Sequence, residues 1–147
     1  MTTKTTKKPV FKKIQRFDID KAAKGVAHRI EDKNGNAYPV WTVRFFDQYN
    51  KFLKVENERF ERENGKDPET TGKYSGVYAF VQVCVVDWTD MLDEDDNQIP
   101  FDKMLAYEYL CDDENAWFRE QLIERSQDER YYKAVTPAAT KVEDAGN

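Results

Sequence analysis

The chain has 147 residues, 35% of them charged and 39% hydrophobic, with a formal net charge of −5. That length suits one domain burying roughly two thirds of the surface its unfolded form exposes, and the acidic balance argues against non-specific binding to nucleic acid. No apolar run approaches the roughly 20 residues of a membrane-spanning helix, and no hydrophobic stretch follows the basic N-terminus as it would in a secretory signal.

Two cysteines, Cys84 and Cys111, make no disulfide framework and suit a reducing cytoplasm. The hydrophobic share is small, so the three Trp, eight Tyr and nine Phe are expected to fill an aromatic core.

Residues 1–9 read as a flexible basic arm, and through residue 16 the cations Lys4, Lys7, Lys8, Lys12, Lys13 and Arg16 meet no acid. Residues 10–135 read as a single α+β domain: a small N-terminal antiparallel hairpin or sheet, then a three- to four-helix domain. Within it no internal repeat is apparent. Residues 136–147 are small, polar and free of aromatics, and are expected to be a disordered tail.

The clearest local signal is a hairpin. Val26–Ile30 leads into a turn containing Asn34-Gly35, which supplies the positive φ that tight turns need, and Tyr38–Phe45 leads out in alternation. Phe11–Ile19 is a candidate third strand. From Phe46 to about Asn64, Tyr49, Phe52, Leu53 and Phe60 recur near one helical face, and Asn64-Gly65 reads as the stop.

Lys66–Ser75 reads as a loop. Gly76–Trp88 is the most apolar stretch: its β-branched content argues for a strand, its length and lack of an internal turn signal for a buried helix. Asp87–Pro100 reads as an acidic loop, and Phe101–Leu110 as a short helix with Asp102 in its first turn. A final helix runs from Glu114 to about Tyr132, with Trp117, Phe118, Leu122 and Ile123 on one side.

Candidate chemistry is sparse. The lone histidine, His28, has no Cys or His nearby to share a zinc ion and reads as strand surface. Cys84 lies mid-way along the apolar stretch, where a thiol is unreactive. Asp93, Asp95 and Asn97 have the spacing that opens an EF-hand loop, but Gln98 stands where the turn requires Gly and Met104 where a bidentate Glu is required. No Gly-rich phosphate loop or nucleophile motif is present, so neither catalysis nor a cofactor or metal is expected.

Residues 84–110 resemble the tail assembly chaperones of long-tailed bacteriophages. The resemblance rests on Val85-Val86-Asp87-Trp88, the acidic loop, Gln98-Ile99-Pro100-Phe101-Asp102 and Tyr109-Leu110, with Asn97-Gln98 where the family often has Asp-Gly. More loosely it extends over residues 25–132, and it implies a helix for 76–88. It also implies a non-catalytic protein of the host cell cytoplasm, absent from the finished virion. Such a protein binds and solubilises the tape measure protein and, in many phages, has a longer frameshifted form that recruits tail tube protein.

Trp88 and Phe101 bracket the acidic loop; they either pin its ends to the core or form a groove for a partner helix. With Trp117 and Tyr131 on the final helix they are the candidate partner-binding residues. A structural virion protein, of the tail or head-tail connector, is the alternative, and a small regulator binding DNA through residues 1–16 a more distant one.

Overall fold

The computed structural model describes residues 8–12, 17–47, 49–65 and 75–133. The arm through residue 7, the loop over 66–74 and the tail from 134 onward lie outside the described residues. The fold is α+β, with a three-stranded antiparallel sheet and five α-helices among the described residues.

The first helix, α1 (Ile19–Lys24), begins where the Asp18 carboxylate accepts from the N–H groups of Asp20 and Lys21, and ends at Gly25 with φ of 100°. Of the candidate strand Phe11–Ile19, the described residues are not strand: residues 11–12 and 17–18 are irregular and Ile19 opens a helix, while residues 13–16 lie outside the described set. The hairpin follows as β1 (Val26–His28) and β2 (Val40–Val43), with His28 opposite Trp41.

Helix α2 (Lys51–Asn64) starts later than the hydrophobic spacing predicts, because the Asn50 side chain caps it by accepting from the Phe52 N–H at 2.8 Å. Only Leu53 and Phe60 of its apolar residues are buried; Tyr49 and Phe52 face water. Gly65 ends it, with φ of 81° and its N–H on the Glu61 carbonyl.

The ambiguous apolar stretch is both things in succession: α3 (Gly76–Cys84) runs directly into β3 (Val85–Thr89). No Gly or Pro marks the switch; donors brought from elsewhere make it. Lys103 Nζ donates to the carbonyls of Val81 and Gln82, Arg44 Nη1 to that of Val83, and the Arg44 N–H to that of Cys84. These groups satisfy the helix's open carbonyl end and place cations where its dipole is negative. Strand β3 then pairs with β2, Trp88 opposite Trp41, with a bulge at Val86. The third strand of the sheet thus comes from the second half of the chain.

Helix α4 (Lys103–Cys111) is capped by Asp102, which lies just outside its first turn and accepts from the Leu105 N–H at 2.9 Å. A 3₁₀ turn (Asp113–Asn115) leads into α5 (Ala116–Ser126), and a second 3₁₀ turn (Glu129–Tyr132) closes the described chain. The expected final helix is therefore interrupted after Ser126. The core is aromatic as composition predicts: Trp41 is fully buried, with the rings of Trp88, Tyr109 and Phe118 centred 5.3–5.5 Å away.

An internal repeat does exist, at the turns. In the first, the Asp32 N–H donates to the Asn36 carbonyl and the Gly35 N–H to that of Asp32, while Asp32 Oδ1 accepts from the N–H groups of Asn34 and Asn36. In the second, Asp93, Asp96 and Asn97 repeat the pattern, with Asp93 Oδ1 accepting from Asp95 and Asn97.

Each turn sits inside a one-residue bridge (Glu31 to Ala37, Leu92 to Gln98) and is closed by a bond to a buried residue, Tyr38 N–H to Ile30 and Ile99 N–H to Met91. Each is followed by proline, Pro39 or Pro100. β1 and β3 both run antiparallel to β2, so both turns emerge at one end of the sheet. The end of α1, the start of β3 and residues 44–45 gather at the other.

Candidate partner-binding surface

Trp88 and Phe101 come together, and they do so to hold the loop. Trp88 is 6% exposed, its Nε1–H donates to the Ile99 carbonyl at 2.8 Å, and the half-buried Phe101 ring meets it edge-on at 5.2 Å. The aromatic pair pins both ends of the acidic turn to the core, which leaves Trp88 little surface for a partner.

Trp117 and Tyr131 lie elsewhere, about 40% exposed. Trp117 sits 5.8 Å from Tyr38, and the two line an open recess of about 390 Å³ with Asp32, Lys33 and Asn34 of the first turn. Tyr131 lies under the Arg125 guanidinium at 5.2 Å, a cation–π contact.

His28 is buried, not on the strand surface. Tyr132 Oη donates its single proton to the Val43 carbonyl at 2.8 Å, so it accepts from His28 Nε2–H at 3.0 Å. The His28 Nδ1 is buried with no hydrogen-bond partner, so a proton there would go unsatisfied and the neutral imidazole is favoured. Burial, aided by the nearby Arg125 charge, lowers its pKa to about 4. Burial likewise raises the Tyr132 phenol and pushes the Cys84 thiol up to about 12, which leaves that thiol inert. The His28–Tyr132 pair ties the chain's last described turn to the hairpin, helped by the Asp18 N–H on the Tyr132 carbonyl at 2.7 Å.

Sequence reasoning missed a second exposed apolar area. Tyr49 is 85% exposed, Ile19 76% and Phe52 58%. Phe52 also lines a recess of about 260 Å³ with Ala22, Ala23, Arg44, Phe45 and Val83. The available signal was the Asn50 cap, which leaves Tyr49 ahead of the helix, together with the helical spacing, which sets Phe52 about 100° from Leu53.

Comparison with protein family models, with curated proteins and with solved structures finds no match for this chain.

Proposed function

We propose that the chain is a tail assembly chaperone of a long-tailed bacteriophage, a non-catalytic protein that binds and solubilises the tape measure protein while tail tube protein assembles around it. It acts in the host cell cytoplasm, needs no cofactor, and leaves before the virion is complete.

The observation that carries this reading is that the element behind the resemblance behaves as one packed unit. Trp88, Ile99 and Phe101 lock the acidic turn through one hydrogen bond and one ring contact. Large apolar side chains left in water on a highly charged surface fit a stoichiometric binder: Tyr49, Phe52, Trp117 and Tyr131 offer places to cover the apolar stripes of a helical client.

Co-expression with the longest helical protein encoded downstream tests the proposal. A client that is insoluble alone and becomes soluble in a complex with this chain supports it. Failure to bind the client, together with recovery of this chain from purified particles by mass spectrometry, replaces it with a structural virion role.

A further inference from the structure

Asn-Gly occurs twice in the chain, at Asn34-Gly35 and at Asn64-Gly65. The pair is prone to spontaneous loss of ammonia, because glycine has no Cβ to shield its amide nitrogen from the preceding side chain. Sequence gives the two sites equal standing, and both are exposed. Their hydrogen bonds separate them.

Asn64 is the last residue of α2 and is tied back along it. Its Nδ2 donates to the Phe60 carbonyl at 3.0 Å, and the Gly65 N–H donates to the Glu61 carbonyl at 2.8 Å. Both the electrophilic amide and the attacking nitrogen are therefore engaged, and the helix fixes the backbone angle between them.

Asn34 is held only through its main chain, by its N–H on Asp32 Oδ1. The side-chain amide that reaches Asp32 Oδ2 belongs to Asn36, at 3.1 Å. The Gly35 N–H makes one longer bond, to the Asp32 carbonyl at 3.1 Å, and a Cβ built on Gly35 meets nothing within 4 Å. The Asn34 amide is thus free to turn onto the Gly35 nitrogen, with open space for a five-membered ring.

We propose that Asn34 is a site of spontaneous deamidation and that the fold protects Asn64 from the same reaction. The Gly35 nitrogen attacks Asn34 Cγ; the N–Cγ bond forms and the Cγ–Nδ2 bond breaks. Ammonia leaves with the proton that the Gly35 nitrogen gives up. Water then opens the succinimide. Attack at Cγ restores the main chain and gives aspartate, whereas attack at the main-chain carbonyl leaves the chain linked through Cγ as isoaspartate.

The second turn shows which product the fold accepts. It carries Asp95 at the position equivalent to Asn34 and keeps the same hydrogen bonds, so aspartate fits. Isoaspartate adds a backbone carbon inside the turn that the Asp32 N–H closes on the Asn36 carbonyl at 3.0 Å. Either product brings a new carboxylate to the recess that Asn34 lines with Asp32, Lys33, Tyr38 and Trp117. A candidate partner-binding residue gains a charged neighbour as the protein ages.

Peptide mapping by mass spectrometry tests this on the full chain, held folded at mildly alkaline pH and sampled over time. The fragment with Asn34 should gain about 1 Da, as an amide NH₂ is exchanged for OH, and fragmentation should place the gain at that residue. The fragment with Asn64 should stay unchanged over the same period. In urea that unfolds the chain the two sites should react at similar rates, and Gly35→Ala should all but abolish the gain at Asn34.

Asn64 reacting as fast as Asn34 in the folded chain would overturn the proposal. So would an Asn34 fragment that stays unchanged in the folded chain while the unfolded chain reacts. A difference between the sites that persists in urea would remove the fold from the account, and an undiminished gain in Gly35→Ala would remove the ring.

Discussion

The turn at residues 31–37 and the turn at 92–98 share one hydrogen-bond pattern built from different residues. The first carries Asn34-Gly35, the second Asp95-Asp96. What they keep in common is an aspartate whose carboxylate gathers two backbone N–H groups, an asparagine four positions later, and a buried apolar residue beneath. Those three features specify the turn; glycine only eases it. Leu92 and Asp96 stand where the first turn has Glu31 and Gly35, so the shared hydrogen-bond pattern requires neither residue.

The sharpest way to break this comparison is to remove the buried anchors. Ile30 is 0% exposed and Met91 6%, and each holds its turn to the same core cluster. Ile30→Ala and Met91→Ala should each destabilise the protein by about 2–5 kcal/mol in urea denaturation, Ile30 the more. If Met91→Ala has no effect, the second turn is not anchored like the first.

The strands leading into the turns also differ, since β1 brings a buried imidazole where β3 brings the Trp88 indole. His28 in the folded chain has its pKa lowered from 6.5 to about 4, so the native state binds fewer protons than the unfolded one between those values. Its stability contribution is complete above pH 6.5, falls as pH drops toward 4, and is flat below. The loss by pH 4.5 is expected to be about 2–3 kcal/mol, since one unit is about 1.4 kcal/mol. Carboxylates titrate over part of the same range, so the measurement is the difference in denaturation midpoint between wild type and His28→Gln at pH 7.5 and 4.5. Equal slopes for the two proteins would remove His28 from the account.

What the sequence disclosed and what it hid follow the same physics. The first turn was legible because Asn-Gly announces positive φ. The second was hidden because Asp96 adopts φ of 63° without a glycine to mark it, and with it the repeat went unseen. The α3–β3 junction was hidden because its cause, Lys103 and Arg44 on the helix's last carbonyls, is tertiary. Hydrophobic spacing put Tyr49 and Phe52 on a core face, but the helix capped by Asn50 starts after Tyr49 and sets Phe52 about 100° from Leu53. Of the candidate residues, Trp88 and Phe101 were legible as a bracketing pair, but their burial depended on β3 pairing with β2.

A smaller effect separates the turns at their left-handed position. A Cβ added at Gly35 meets nothing within 4 Å, so the cost of Gly35→Ala is backbone strain alone, about 1 kcal/mol. Asp96→Gly should stabilise by a comparable amount. Opposite signs in urea denaturation would show that the second turn holds a residue its backbone disfavours; a loss of stability in Asp96→Gly would mean that the carboxylate supports the fold.

The smallest expected effect bears most directly on what the difference means. Leu92→Glu installs at the second turn the residue that already occupies the equivalent solvent-facing position in the first, and Leu92 is about half exposed. Surface substitutions of this kind change stability by no more than about 0.5 kcal/mol. A larger loss would mean that Leu92 packs into its own fold. A silent result in denaturation would show that the backbone pattern that builds the turn is common to both and asks for no particular residue at this position.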